Sequence, residues 1–307
     1  MKRILVAGEI NVDLVFRNCR AFPMPGKEVL ADDFVATPGS SSMICAMGLA
    51  RLGNPVSFVG CAGMDSWGDY CVSALQDVGI DTSGIRRDPA LRTGVTASLS
   101  TAQDRALVTF AGATTALRGD DISDRLLRDA EHLHVSSYYL QTGLRPDSRA
   151  LFVRARKSGL STSLDPGFDP AEQWGSELFE TLDELDLFLP NEMELRGITG
   201  TASPADGLQR LANRRARTVV KRGAQGSATL DGQQLLAGPA YPLTSVDSTG
   251  AGDSFSAGFI HAWLRQLPLL DCLRWAGACG SLSTRGVGGT SHQPNADEVL
   301  DLIGSAR

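Results

Sequence analysis

The sequence predicts an α/β fold built on a largely parallel sheet, and three observations point to it. Short apolar runs that end at glycine, Arg3-Ile4-Leu5-Val6-Ala7-Gly8 and Val56-Ser57-Phe58-Val59-Gly60, read as buried parallel strands. Runs with one apolar face at helical spacing alternate with them, as over Met43–Leu52 and Leu269–Thr284. Polar residues such as Asn11 and Asp13 follow just beyond the first strand's C-terminal end, where open α/β sheets put their ligands.

A chain of 307 residues, 42% of them apolar, holds one α/β domain with a substantial core, or a large domain plus a small one. No apolar run approaches the ~20 residues of a membrane span. Met1-Lys2-Arg3-Ile4 opens without a signal peptide's long apolar region and cleavage site, so a cytoplasmic location is expected. The six cysteines show no CxxC or zinc spacing, which suits reduced thiols. A net charge of −6 without a basic run argues against nucleic acid as the main partner.

Along the chain, the first strand lacks a following GxGxxG, which removes the main support for a dinucleotide fold. Val12–Phe16 and Glu28–Val35 look β-like around the turn Pro23-Met24-Pro25-Gly26, and Thr37–Ser42 reads as a loop entering the helix from Met43. Ser40 and Ser41 suit either hydroxyl contacts to a ligand or helix N-capping. Thr93–Leu99, a turn near Gln103 and Asp104, and Ala106–Phe110 alternate as a hairpin. Together these β segments, about 12–37 and 93–112, form a small lid inserted in one domain spanning 1–307.

Asp65 reads as a helix cap, and His132-Leu133-His134-Val135 as a strand whose HxH pair has no legible third metal ligand. Leu160–Asp165 is a further strand, ending in the turn Asp165-Pro166-Gly167. Pro190 breaks the strand over Asp186–Leu189, and Asn191 then begins a helix with Glu194 one turn along, the spacing of a capping box. Thr218–Gly226 is a strand and turn carrying Lys221, Arg222, Gly223 and Gly226, and a loop cation is most simply solvated. Glycines over Arg285–Ser291 suit a helix C-cap, and Asn295–Ile303 closes the chain as a helix.

The chemistry is most legible at Val246–Phe255. Thr244-Ser245-Val246 is β-like, and from Ala251 the residues Phe255, Phe259, Ala262 and Trp263 keep one apolar helical face. Gly250-Ala251-Gly252 therefore lies at a junction where unpaired N–H groups and the helix dipole favour an anion. Asp253 in the first helical turn either complements that dipole or accepts a proton from an attacking hydroxyl.

Asp247-Ser248-Thr249-Gly250-Ala251-Gly252-Asp253-Ser254-Phe255 closely resembles the C-terminal signature of the ribokinase/PfkB family of carbohydrate kinases, commonly Asp-Thr-Thr-Gly-Ala-Gly-Asp-x-Phe, with Ser248 the departure. Gly39 and Ala50-Arg51-Leu52-Gly53 resemble the N-terminal signature, where Ser40 replaces a second Gly and Ile44 an Asn that contacts the substrate. Leu189-Pro190-Asn191-Glu192-Met193-Glu194 resembles the strand-Pro-Asn-x-x-Glu motif, and Thr218–Gly226 the segment at the ATP site.

The resemblance implies a ribokinase-like three-layer α/β/α sandwich with a small β-sheet lid, and ATP-dependent phosphorylation of a sugar hydroxyl. It implies that Asp253 is the catalytic base and that the N–H groups around Gly250, Ala251 and Gly252 form the anion hole. Asn11, Asp13, Gly39, Ser40 and Ser41 would face the sugar. Asn191, Glu194, Lys221, Gly223, Gly226 and Thr249 would serve ATP and Mg²⁺. A monovalent-cation site, for K⁺, would draw on Asp247, Thr249, Leu282, Arg285, Val287 and Ser291. A lid of this family excludes water and in many members joins two copies through a β-clasp.

Two other readings stand beside it: a nucleoside kinase of the same family, favoured by the apolar Ile44, and a non-catalytic sugar- or nucleotide-binding regulator on the same fold. A serine hydrolase is disfavoured because Gly252-Asp253-Ser254-Phe255-Ser256 lacks the GxSxG spacing.

Overall fold

A computed structural model describes residues 3–101 and 105–306. The first half runs β1 (Arg3–Ala7), β2 (Asn11–Arg17), β3 (Asp33–Pro38), α1 (Ser41–Arg51), β4 (Val56–Gly63), α2 (Ser66–Asp77), β5 (Asp81–Asp88), β6 (Gly94–Ser100) and β7 (Arg105–Phe110). Then come α3 (Asp124–Arg128), β8 (Ala130–Val135), α4 (Ser148–Lys157), β9 (Ser161–Leu164), α5 (Glu177–Leu182), β10 (Leu187–Phe188), α6 (Glu192–Thr199) and α7 (Pro204–Leu211). The chain ends with β11 (Arg217–Lys221), β12 (Ser227–Asp231), β13 (Gln234–Gly238), α8 (Ala251–Leu264), α9 (Leu269–Ser283) and α10 (Ala296–Ser305).

Nine strands form one sheet in the order β13-β12-β11-β10-β9-β8-β1-β4-β5. It is parallel from β11 to β5, with an antiparallel hairpin, β12 and β13, at one edge. The period of two along each strand sorts its side chains onto two faces. Ile4 and Val6 join one core with residues of α1, α2, α8, α9 and α10, whereas Leu5 and Ala7 join a second with α3 to α7. Helices therefore cover both faces, giving an α/β/α sandwich. Each fully buried Leu, Ile, Val or Phe contributes about 1.5–3 kcal/mol.

The other four strands make a separate sheet, ordered β3-β2-β6-β7, in which only β2 and β6 are parallel. Its register places Thr37, Asp13, Thr96 and Thr109 side by side on one rung across all four strands.

Several boundaries differ from the sequence reading. The β run expected from Glu28 starts at Asp33, because β2 ends at Arg17, which pairs with Asp33, and no partner continues beyond it. Thr37 and Pro38, read as loop, belong to β3. Thr244-Ser245-Val246 forms no strand; Val246 and Asp247 instead donate their N–H groups to Thr284 O. The turn expected at Gln103 and Asp104 lies outside the described residues.

His132 and His134 are buried in a chain of hydroxyl contacts, Ser161–His132–Ser163–His134–Ser136, each step 2.7–2.8 Å. Burial pushes both imidazoles down to about 3, so they are neutral at pH 7. Among the described residues no His/Cys/Asp/Glu cluster suits a metal ion. All six cysteines are free and buried, and no helix of the described residues is long and apolar enough to cross a membrane.

The helices α8 and α9 approach closely at Gly258, where an added Cβ would lie 2.7 Å from Cys279 Sγ and 2.8 Å from Trp275 O. Helix propensity favours alanine there by about 1 kcal/mol, but the overlap with backbone costs about 1–3 kcal/mol. Gly258→Ala should therefore destabilise the protein, and a urea midpoint at or above that of the unmodified chain would contradict this packing.

Candidate active site

The N-terminus of α8 is held open. Gly250 is its N-cap at φ 72° and ψ 2°, a left-handed conformation that glycine adopts without strain, and no side chain caps the helix. Close packing also requires glycine here, since an added Cβ would meet Gly289 Cα at 2.6 Å and Ile44 Cγ2 at 3.0 Å. At Gly252 the nearest atoms to an added Cβ are Lys221 Cδ and Nζ, both at 3.6 Å. The helix tip thus stands beside a cationic side chain with room for no more than a methyl group's contact between them, and both suit an anion.

Asp253 projects from the first turn of α8 and is partly accessible. Its carboxyl is pushed up to about 7 by burial, then by the neighbouring Asp165 charge, against the opposing pull of Lys221 and a hydrogen bond from Ser41. Lys221, at the end of β11, forms a nearly buried ion pair with Asp165 at the end of β9, with side-chain exposures of 11% and 6%. Ser256 Oγ donates to Asp165 Oδ2 at 3.2 Å, tying the pair to α8. Burial alone would lower Lys221, but Asp165, Glu194 and Asp253 hold it above its usual value. The solvated role expected of a loop cation therefore does not apply to Lys221. Arg222 instead pairs with Glu192 on α6 at 2.8 Å, turned from this cluster. Gly223 and Gly226 shape the turn after β11, where Arg222 N–H donates to Gly226 O.

The capping box of α6 is complete. Asn191 Oδ1 accepts from Glu194 N at 2.9 Å, while Glu194 accepts from Asn191 N at 2.8 Å and from Asn191 Nδ2 at 2.7 Å. Burial first, then Asp165, raises the Glu194 carboxyl well above its ordinary range.

Opposite the helix tip lies a wall built from β1, β2 and α1. Asn11 Nδ2 donates to Asp13 Oδ1 at 3.0 Å and to Thr96 Oγ1 at 3.1 Å, and Thr96 reaches Thr109 Oγ1 at 3.1 Å. Burial pushes Asp13 up to about 6. Gly39 runs so close to Asp13 that an added Cβ would lie 2.2 Å from its Oδ1. Ser40 takes φ 66°, rare for a side-chain-bearing residue and costing about 1–3 kcal/mol. Its hydroxyl offsets this by donating to Glu9 O at 2.8 Å and accepting from Met43 N at 3.0 Å. The buried Glu9 binds both the N–H and the hydroxyl of Ser42, fixing the start of α1. Ser41 is left to meet Asp253.

Asp247 staples two loops together, accepting from Thr249 N, Thr249 Oγ1 and Gly288 N at 2.8–2.9 Å. These bonds hold its carboxyl below the usual range in spite of burial. Val287 O accepts from Ser291 Oγ at 2.7 Å in the same loop, and Leu282 O accepts from Arg285 N at 3.3 Å. The Arg285 guanidinium donates through Nε to Leu282 O at 3.3 Å and reaches outward to Glu298.

Most residues singled out in the sequence thus gather around the N-terminus of α8. Asp165, Glu9 and Arg105 were missed. Asp165 ends a parallel strand, a position that alone marks ligand residues in such sheets. For Glu9 and Arg105 the sequence offered no signal. Asp65 is the cap it was read as, accepting from Gly68 N at 2.8 Å.

Breaking a buried pair by removing one partner costs about 3–5 kcal/mol because the other charge is left unpaired. Lys221→Met should lose about that much stability, and Lys221→Met with Asp165→Asn should recover most of it. A double variant no more stable than the single one, in denaturant titrations, would show that the two charges are not coupled.

The model of the pfkB family carbohydrate kinases matches residues 1–296. An ATP-dependent ribose-1-phosphate kinase from Halopiger xanaduensis is 30% identical over 306 residues, covering 99% of this chain and 98% of that protein. The structure of Arabidopsis thaliana ribokinase complexed with ribose and ATP superposes with a TM-score of 0.85 at 26% identity, covering 98% of each chain. A fructokinase double mutant from Vibrio cholerae O395, in its fructose, ADP and potassium ion bound form, gives 0.81 at 25% identity, covering 99% of this chain and 98% of that one. With an open helix tip, an acid in its first turn and a match along nearly its whole length, the chain belongs to the pfkB family of carbohydrate kinases.

Proposed function

We propose that this protein transfers the terminal phosphoryl group of ATP to a hydroxyl of a sugar or sugar derivative. The observation that carries this reading is the uncapped tip of α8 with Asp253 in its first turn and the Lys221 ammonium beside it. The relatives solved with ribose and ATP, and with fructose, ADP and potassium, support it.

In this mechanism Asn11, Asp13 and Gly39 hold the sugar, with Ser40 and Ser41 shaping the wall behind it. Asp253 takes the proton as the hydroxyl oxygen forms its bond to phosphorus, and the bond from phosphorus to the ADP oxygen breaks. Backbone N–H groups around Gly250, Ala251 and Gly252 receive the developing negative charge, that of Ala251 on giving up its bond to Ser248 O at 3.2 Å. Three acids, Asp165, Glu194 and Asp253, face one ammonium, and the raised affinity of Glu194 and Asp253 for protons reflects that shortage of positive charge. Mg²⁺ arriving with the nucleotide would supply that charge, and Asn191 and Glu194 would order its water shell. Lys221, Gly223, Gly226 and Thr249 border the nucleotide. Asp247, Thr249, the carbonyls of Leu282, Arg285 and Val287, and the Ser291 hydroxyl would hold K⁺ as an oxygen-only set, in place of internal bonds such as that from Ser291 Oγ to Val287 O.

The small sheet acts as the lid of a single kinase domain, through segments of about 12–37 and 93–112, excluding water that would compete as acceptor. Its exposed Phe34, Leu107, Val108 and Phe110 suit pairing with a second copy. A nucleoside acceptor is less well supported, because Ile44 is 3% exposed and packs on Gly250 and Gly289, leaving little apolar surface for a base.

ADP release should be measured with ATP, Mg²⁺ and K⁺ over pentoses, hexoses, sugar phosphates, keto-deoxy acids and nucleosides. Turnover of a sugar is expected, and turnover confined to nucleosides would overturn the sugar assignment. Asp253→Asn should lower kcat by at least ~10²-fold with sugar affinity nearly intact; near-normal turnover would remove Asp253 from the base role. An acid held near 7 works only once deprotonated, so kcat/KM should rise with pH up to about 7 and level off above it. A flat profile from pH 5 to 8 would contradict that assignment.

A further inference from the structure

Arg105 opens β7 in the small sheet, yet its Nη1 lies 3.2 Å from Thr249 Oγ1, in the loop that leads into α8. Its positive charge also acts on Asp13 and on Asp247, holding both carboxyls lower than they would otherwise be. The guanidinium therefore stands between the acceptor wall and the helix tip. In register, Arg105 faces Ser100, four residues beyond the pair Thr96 and Thr109 that continues the Asp13 rung. At about 3.3 Å per residue that is roughly 13 Å along the strand, so Arg105 stands at the other end of β7 from the Asp13 rung.

The charges around the site are unbalanced. Asp13, Asp165, Asp247, Asp253 and Glu194 supply carboxyls, while Lys221 is engaged by Asp165. A nucleotide's terminal phosphate must enter this acidic surrounding. A mobile cation that arrives only when the small sheet is down would offset the repulsion at the moment of transfer and leave product release unhindered when it lifts.

We propose that Arg105 is a cation borne by the small sheet that contacts the transferred phosphoryl group, so that covering the acceptor and completing the anion hole are one event. The inference rests on the reading of the α8 tip as the phosphoryl site. Arg105 Nη1 lies 3.2 Å from Thr249 Oγ1, adjacent to Gly250, and this contact is what assigns it to the phosphoryl group. Its side chain lies on the surface, so its loss should not disturb the core.

Arg105→Ala and Arg105→Lys should be compared with the unmodified protein for kcat, both KM values, thermal midpoint, and calorimetric affinity for ADP with and without aluminium fluoride. Removing one charge-stabilising contact should lower kcat by about 10²-fold or more. Sugar KM and ADP affinity should stay within about threefold. The added affinity that aluminium fluoride gives to ADP, as a mimic of the transferring phosphoryl group, should fall with kcat, and lysine should restore part of both. Unchanged kcat and fluoride-dependent affinity would overturn the proposal, as would a loss confined to sugar KM or one that merely follows the thermal midpoint. If the unmodified protein turns over no acceptor, the kinase reading fails. Normal turnover beside an unimpaired Arg105→Ala removes Arg105 alone.

Discussion

The buried pair of Lys221 and Asp165 is the interaction on which the site depends. Taking two charges out of water is costly, and their attraction offsets that cost only with good geometry and further hydrogen bonds. Here the supports come from three separate elements: β11 carries the lysine, β9 the aspartate, and α8 the Ser256 hydroxyl. The pair therefore fixes where the helix tip stands relative to the sheet. It also sets the proton affinity of Asp253, which feels Asp165 raising it and Lys221 lowering it in the same small space. Structural anchoring and acid–base tuning are two effects of one contact.

This arrangement explains which parts of the site were legible in the sequence. The α6 entry and the α8 tip are local: Asn191 and Glu194 are three residues apart, and Gly250 to Asp253 form one turn, so spacing alone conveys their geometry. The strand rule likewise found β1 and β4 from short apolar runs. What failed was non-local. Lys221 and Asp165 are 56 residues apart and meet only because β9 and β11 flank β10 in the sheet. Thr244–Val246 looks like a strand, but the hydrogen bonds it would need are taken by Thr284 O in a loop. The start of β3 was misplaced because β propensity continues past the point where β2 offers a partner.

The acceptor wall departs from the family signature at Ser40 and Ile44, and the structure gives each departure a physical role. Ser40 holds a left-handed φ that glycine would take freely, and its hydroxyl compensates through two hydrogen bonds. Ile44 fills the space beside Gly250 and Gly289, joining α1 to the two loops that frame the helix tip. An amide there would make specific polar contacts, whereas the isoleucine makes apolar ones within the protein. On the proposed mechanism polar recognition would then fall to the rung of Thr37, Asp13, Thr96 and Thr109.

That shift bears on how acceptor binding and phosphoryl transfer communicate. The wall and the helix tip meet at Ser41 and Asp253 on one side and at Ile44 and Gly250 on the other. Both contacts originate from α1, whose first turn is pinned from behind by the buried Glu9 through Ser42. In the proposed mechanism an acceptor held against Asp13 and Gly39 would lie beside the turn whose Ser41 hydroxyl meets Asp253 and whose Ile44 packs on Gly250. Because interiors are close-packed, a shift of that turn would be transmitted rather than absorbed, so acceptor fit and the placement of Asp253 would be linked through one short helix turn.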